Sequence, residues 1–218
     1  MPPRVRPLNP HDDAEILLVA SRMRDTLIEV LGEARGGSMY TTEWLIDRVR
    51  WHLTPALCVG RVLVAADHDG EIVGHTIVRV EPDDEDGGGT LGLISTTYVL
   101  PERRRAGLAE ALLHAGEAWL LSHGATRLAT NTSASNWPLI RLYEKAGYSI
   151  THRAPEVNML QLSRPVYAQS SQAAPGDGAD ALAEDLSGQE QLTVPEAELI
   201  GADEVTVLVD RVVAALDE

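Results

Sequence analysis

The chain has 218 residues and a formal net charge of −15, with Lys+Arg 18 against Asp+Glu 33. That balance argues against a nucleic-acid binder, which needs a basic surface, while a 44% hydrophobic content suffices for one good core, or one domain plus an appendage. No run of 18 apolar residues marks a membrane span, the first residues lack the apolar stretch of a signal peptide, and Cys58, the sole cysteine, excludes an internal disulfide and a cysteine-based zinc site. The expected setting is cytoplasmic, with neither nucleic acid nor membrane as partner.

In chain order, Val5 to Leu8 reads as a short strand, and His11-Asp12-Asp13-Ala14 as a helix start. That helix runs to about Leu31 and stops before Gly32. Gly36-Gly37-Ser38 reads as a loop, after which Thr41 or Thr42 caps a second helix carrying Trp44, Leu45, Val49 and His52. Arg61 to Asp67 and Glu71 to Glu81 flank His68-Asp69-Gly70, a hairpin turn with Asp-Gly at its centre. An acidic, glycine-rich connection leads to a strand from Leu91 to Val99, rich in β-branched and aromatic residues. Leu108, Leu112, Ala115 and Trp119 then recur at helical spacing. Thr126 to Asn131 is a further strand. Asn136 and Pro138 open a helix that Gly147 stops, and Ser149 to His152 and Val157 to Leu162 form a last strand pair. The order β-α-α-β-β-β-α-β-α-β-β suggests an α/β domain with a mixed sheet.

Residues 168–218 hold twelve acidic groups against Arg211 alone, so most of the net charge lies there. We expect three parts: a domain over 1–167, a flexible acidic linker over 168–202, and an amphipathic helix over 203–218 carrying Val205, Leu208, Val209, Val212 and Leu216. The segment Gly201-Ala-Asp-Glu-Val is faintly similar to the prosthetic-group region of acyl carrier proteins. Glu204, however, stands where their serine would be.

Two blocks carry the chemistry. In Pro101-Glu-Arg-Arg-Arg-Ala-Gly-Leu-Ala109, a glycine turn between strand and helix offers unpaired N–H groups and the positive end of a helix dipole, a seat for phosphate. Gly107 lets the backbone approach closely, and Arg104 and Arg105 add positive charge. The second block is Asn136-Trp-Pro-Leu-Ile-Arg-Leu-Tyr143-Glu-Lys-Ala-Gly-Tyr148.

Together these blocks resemble the GNAT acyltransferase superfamily, which moves acetyl from acetyl-CoA to an amine. The resemblance covers roughly residues 4 to 165. It implies a mixed, mostly antiparallel twisted sheet flanked by helices, here with an acidic C-terminal extension. It also implies acetyl-CoA as acyl donor with no metal. By the same resemblance, the backbone at Thr97, Tyr98 and Val99 pairs with the pantetheine arm and polarises the thioester carbonyl. Arg104, Arg105, Ala106, Gly107, Leu108 and Ala109 hold the pyrophosphate, Asn136 hydrogen-bonds the pantetheine, and Tyr143 is the general acid. A phenol near pKa 10 sits above a thiol near 8.5, so it can share a proton with the departing thiolate without being ionised at neutral pH.

The carboxylate base of many relatives is missing. Ser95, Thr96 and Thr97 occupy one of its usual places and Asn131 another. His75 and Glu81, alternating onto one strand face, are the nearest substitutes, and a water chain is the other route. A Lys-type amine costs about 4.6 kcal/mol to neutralise at pH 7 and an α-amine about 1–1.4, which favours a weakly basic acceptor. Met39, Tyr40, Trp44 and His52 lie where acceptor contacts are expected, and Asp83 to Asp86 would draw a cationic substrate or form a solvated loop. The expected activity is acetyl transfer to a primary amine of a small molecule or polypeptide. The alternative is a non-catalytic CoA-binding module that engages a protein partner through its acidic tail. A homodimer stays open, and modification of aminoacyl-tRNA is disfavoured by the charge balance.

Overall fold

Runs of Val, Ile and Leu that cannot be solvated on either face build the central strands. In the computed structural model, which describes residues 4–83 and 88–166, these are β2 (Gly60–Ala66), β3 (Ile72–Asp83) and β4 (Gly89–Val99). β1 (Arg4–Pro7) adds to one side. β5 (Arg127–Ser133), β6 (Ser149–Ala154) and β7 (Met159–Pro165) add to the other. The seven strands run in the order β1-β2-β3-β4-β5-β7-β6, and every pairing is antiparallel except β4 with β5. The sheet is thus mixed and mostly antiparallel, as the sequence leads one to expect.

Helices cover both faces. α1 (Asp13–Leu31) starts at Asp12, whose side chain accepts from the N–H groups of Ala14 and Glu15, and it ends at Gly32. α3 (Thr42–Leu53) starts at Thr41, whose hydroxyl accepts from the Trp44 N–H at 3.1 Å. Ile16, Val19 and Ala20 of α1 and Leu45 and Val49 of α3 pack with Val62, Val64 and Ile77 of the sheet. On the opposite face, α4 (Leu108–Ser122) and α5 (Trp137–Lys145) bury Leu113, Leu120, Ile140 and Tyr143 against Val78, Leu128 and Leu162.

One element departs from the sequence reading. Glu33–Gly36 forms a short helix, α2, so Gly36 ends a helical turn rather than opening a loop. A Cβ on Gly36 would lie 2.3 Å from the Leu27 carbonyl oxygen, so glycine serves there for close approach to α1. Arg24 then fastens the connection, donating to the carbonyls of Gly37 (2.6 Å) and Tyr40 (2.9 Å). The His68-Asp69-Gly70 turn forms as expected, with Asp67 Oδ1 accepting from the N–H groups of Asp69 and Glu71 and Gly70 at φ 85°. The expected linker over 168–202 and helix over 203–218 lie outside the described residues. So does most of the acidic run Asp83 to Asp86. Asp83 itself is buried and bound to Arg127 through two contacts of 2.6 and 2.7 Å, so it is an ion-pair partner rather than a lure for cations.

A buried charge cluster braces α4 and α5 against the sheet. Glu117 accepts from the Tyr148 hydroxyl at 2.9 Å and pairs with Arg164 at 3.0 Å, and Tyr148 packs edge-on against Tyr143. Removing one partner leaves the other charge uncompensated, at about 3–5 kcal/mol where both are fully buried. With a quarter of the Arg164 side chain exposed, Glu117→Ala should destabilise the fold by about 2–3 kcal/mol in urea denaturation at pH 7.

Candidate active site

β4 and β5 stay paired for only four residues, from Leu91 opposite Arg127 to Ile94 opposite Thr130. Ser95 is then an extra residue on β4, since Ile77 faces Thr96 while Val78 faces Ile94. Such a bulge bends and twists a strand. From Ser95 to Val99, β4 therefore keeps its ladder to β3 and loses the one to β5.

A cavity of about 240 Å³ opens at this gap. Its walls come from both faces of the sheet, with Met23 and Leu27 of α1 and Trp44 of α3 on one side and Leu139 and Tyr143 of α5 on the other. Ser95, Thr96 and Thr97 form its β4 edge, and Asn131 and Asn136 stand opposite. Tyr143 is 1% exposed. Burial pushes its phenol above the ordinary tyrosine range, while the neighbouring hydroxyls of Thr97 and Thr130 act in the other direction. It therefore keeps its proton at neutral pH.

At the end of β4, a short 3-10 turn at Pro101–Arg103 leads to the start of α4. Arg105 (φ 63°) and Gly107 (φ 79°) are both left-handed, the former at a strain cost for a residue with a Cβ. No side chain caps α4, and the N–H groups of Arg105 to Ala109 donate to no backbone acceptor among the described residues. Nothing lies within 4 Å of a Cβ built on Gly107, so the loop surrounds open space. These donors and the helix dipole fit a diphosphate.

Arg104 is placed differently from the sequence expectation. Its guanidinium holds Glu29 of α1 through two 2.7 Å contacts, and its Nε donates to the Val99 carbonyl at 2.9 Å. Of the two expected phosphate-binding cations, the exposed Arg105 is the one for which no ion pair occurs among the described residues. Asn136 occupies the N-cap position of α5, but its side chain makes no cap bond and reaches Thr132 Oγ1 at 3.4 Å instead.

The expected acceptor contacts and the substitute bases divide. Tyr40 and Trp44 line the cavity, their rings stacked at 4.2 Å. His75 and Glu81 do not. His75 is fully buried under α1 next to Tyr98 and Arg22, and Glu81 is held by Arg79 at 2.9 Å. Both share the face of β3 with Ile77 and Arg79, which do line the cavity, but they lie one pleat beyond it at either end.

Sequence reasoning passed over Arg48 and Arg79, which also line the cavity. The available signal was spacing: Trp44, Arg48 and His52 stand four apart on one stripe of α3. No Asp or Glu is among the described residues lining the cavity. Burial, then the neighbouring Arg48, pushes His52 down to about 3, so it is neutral. His52 Nδ1 lies 2.8 Å from the Arg48 carbonyl, which can only accept, so Nδ1 carries the proton and Nε2 the lone pair.

His75 is likewise pushed down to about 3, by burial first and then by Arg22. Both histidines therefore stay neutral in the folded chain, while the unfolded chain protonates them from about pH 6.5 downward. The unfolded state binds more protons in that window, so stability falls as pH falls, by up to about 1.4 kcal/mol per unit per histidine. Between pH 6.5 and 5 the pair should cost roughly 3 kcal/mol, and His75→Leu should remove about half of that loss. Urea denaturation at the two pH values checks it.

The sequence matches the profile of the Acetyltransferase (GNAT) family over residues 23–148. It is 32% identical over 89 residues to aminoglycoside N(6')-acetyltransferase type 1 of Klebsiella aerogenes, covering 40% of this chain and 59% of that protein. The chain thus spans less than two thirds of that curated relative. The fold is shared with a chain of the NatC complex bound to Gag peptide and CoA, with TM-score 0.63 and 17% identity over 77% of this chain and 100% of that one. It is also shared with PaiA N-acetyltransferase of Thermoplasma acidophilum in complex with coenzyme A, with TM-score 0.59 and 16% identity over 76% and 100%. A match of that family profile over more than half of the sequence decides the assignment: this chain belongs to the Acetyltransferase (GNAT) family.

Proposed function

We propose that this chain transfers an acetyl group from acetyl-CoA to a primary amine, with the gap between β4 and β5 as the place where donor and acceptor meet. The observation that carries the reading is the unpaired edge of β4 from Ser95 to Val99. It opens on the cavity and ends at the uncapped start of α4. An extended pantetheine arm can pair with that edge as a strand would, and the N–H groups of Arg105 to Ala109 can receive the diphosphate. When bound, the donor supplies an acetyl group activated as a thioester.

The residues of the chain then have separate tasks. Backbone N–H groups near Thr97 and Tyr98 polarise the carbonyl, and Asn136, released from capping, is available to the arm. The apolar lining and the lack of a lining carboxylate give an ammonium no support, so the amine reacts in its neutral form. As the C–N bond forms and the C–S bond breaks, water carries off the proton released by nitrogen, and Tyr143 hydrogen-bonds the leaving sulfur. His75 and Glu81 have no part in this scheme.

The volume near 240 Å³ is below the roughly 300–1,000 Å³ usual for drug-sized ligands, which favours a small acceptor or a single terminal residue. A polycationic aminoglycoside does not complement a cavity bordered by Arg48 and Arg79 without a carboxylate. Thiol release from acetyl-CoA across an amine panel tests the reading, with calorimetric binding of CoA alongside. Tyr143→Phe should lower kcat roughly 10²-fold and leave CoA affinity nearly unchanged. An unchanged kcat removes the proton role. CoA binding without turnover of any amine favours the non-catalytic module.

A further inference from the structure

Arg48 is 7% exposed and lines the cavity. Its guanidinium lies over the Trp51 ring, 4.2 Å from the centroid. That contact uses the flat face of the cation and leaves the in-plane N–H donors free to meet a ligand. The Arg48 side chain makes no hydrogen bond or ion pair among the described residues. Arg79, the other cation at the cavity, is engaged by Glu81 and by the Ser95 hydroxyl at 2.8 Å. Burial, and then Arg79, pushes Arg48 down to about 10, so it remains a cation at neutral pH.

A largely buried cation with no ion-pair or hydrogen-bond partner is costly to keep unless a ligand meets it. Three buried polar atoms without partners belong to residues lining this cavity: His52 Nε2, Thr96 Oγ1 and Asn131 Oδ1. Polar atoms are rarely left in that state. Together they describe a cavity built for a compact ligand that carries an anion and hydrogen-bond donors. The lining also carries large apolar side chains, among them Met23, Leu27 and the stacked rings of Tyr40 and Trp44.

We propose, on the reading that this chain is an N-acetyltransferase, that Arg48 receives a carboxylate of the acceptor, so that the substrate is a small amino-acid-like compound joining a free amine and a carboxylate to an apolar body. The planar fork of Arg48 matches a carboxylate in two-point geometry. His52 Nε2 and Asn131 Oδ1 are acceptors suited to the N–H groups of the same molecule. A peptide amino terminus presents an amide where the carboxylate would lie, and a polyamine presents a second cation. Both are disfavoured.

Two measurements test this. In the first, kcat/KM from thiol release is compared for methionine, leucine and phenylalanine against their amides. The wild-type chain should prefer an acid over its amide at least tenfold. Arg48→Met should bring that ratio towards one through KM for the acid, with Arg48→Lys between the two. Equal use of acids and amides by the wild type, or an unchanged ratio in Arg48→Met, overturns the proposal. In the second, thermal unfolding is followed with CoA present. The acids, but not the amides, should raise the wild-type Tm, and Arg48→Met should unfold at a higher temperature without ligand and not respond to the acids. No response of the wild type to the acids overturns the proposal even if other amines are acetylated. An acid response that depends on Arg48, without thiol release from any amine, leaves the carboxylate site standing and overturns the transferase reading instead.

Discussion

The parting of β4 from β5 is the constraint on which the remainder of the structure depends. Two adjacent parallel strands with a continuous ladder would close the sheet and leave no place for a ligand between them. The ladder stops after Ile94 and Thr130 because Ser95 bulges out of register with β3, and the bend carries β4 away. Tyr143 fills part of the resulting wedge, its fully buried ring set between Thr97 on one strand and Thr130 on the other. Thr130 in turn donates to the Ile94 carbonyl at 2.9 Å, at the point of divergence. The side chain proposed to hydrogen-bond the leaving sulfur is thus also the one that fills the wedge. Phenylalanine retains the wedge and loses only the hydroxyl, and so it separates the two roles better than alanine would.

Charge inside this wedge is distributed unlike charge on the chain as a whole. The sequence is strongly acidic, with net charge −15, yet the described lining of the cavity has two arginines and no carboxylate. Net charge therefore says little about what the site selects. The local field is set by Arg48 and Arg79 in a poorly solvated setting, and the depression of His52 expresses burial first and then those cations. With its lone pair on Nε2 and its affinity for a second proton lowered by burial, His52 works as a hydrogen-bond acceptor and not as a base at neutral pH.

Much of this was legible in the sequence. The strand–turn–helix at Pro101 to Ala109 and the Asn136 to Tyr148 block placed the uncapped α4 start and the α5 tyrosine. Alternation and capping gave the order of elements, apart from α2. Short helices such as Glu33–Gly36 carry little periodicity, and here a close approach of Gly36 to Leu27, a tertiary fact, allows the turn. Four side-chain assignments escaped for a related reason. Arg104 turned to Glu29, Asp83 to Arg127, Asn136 left its capping role, and His75 sank under α1. Each outcome was decided by a neighbour distant in sequence, and one-dimensional spacing cannot supply that. The bulge at Ser95 has no signature in composition either.

The Arg104–Glu29 pair bears on how the two halves of the site are connected. Glu29 lies on α1, the helix that gives Met23 and Leu27 to the cavity, and Arg104 lies in the loop that opens α4. Both side chains are substantially exposed, so the pair contributes at most about 1 kcal/mol to stability. Its importance lies in position. On the proposed reading, a diphosphate at Arg105 to Ala109 would compete electrostatically with Glu29 for the Arg104 guanidinium. If Arg104 turns to the phosphate, it also leaves the Val99 carbonyl and releases the last peptide of the open β4 edge. On that reading donor binding and the freeing of that edge would be linked through one weak, replaceable contact, whereas the Tyr143 side chain that fills the wedge is fully buried. The site thus combines a fixed wedge with an adjustable rim, and the adjustable part is the one held by groups that water can reach.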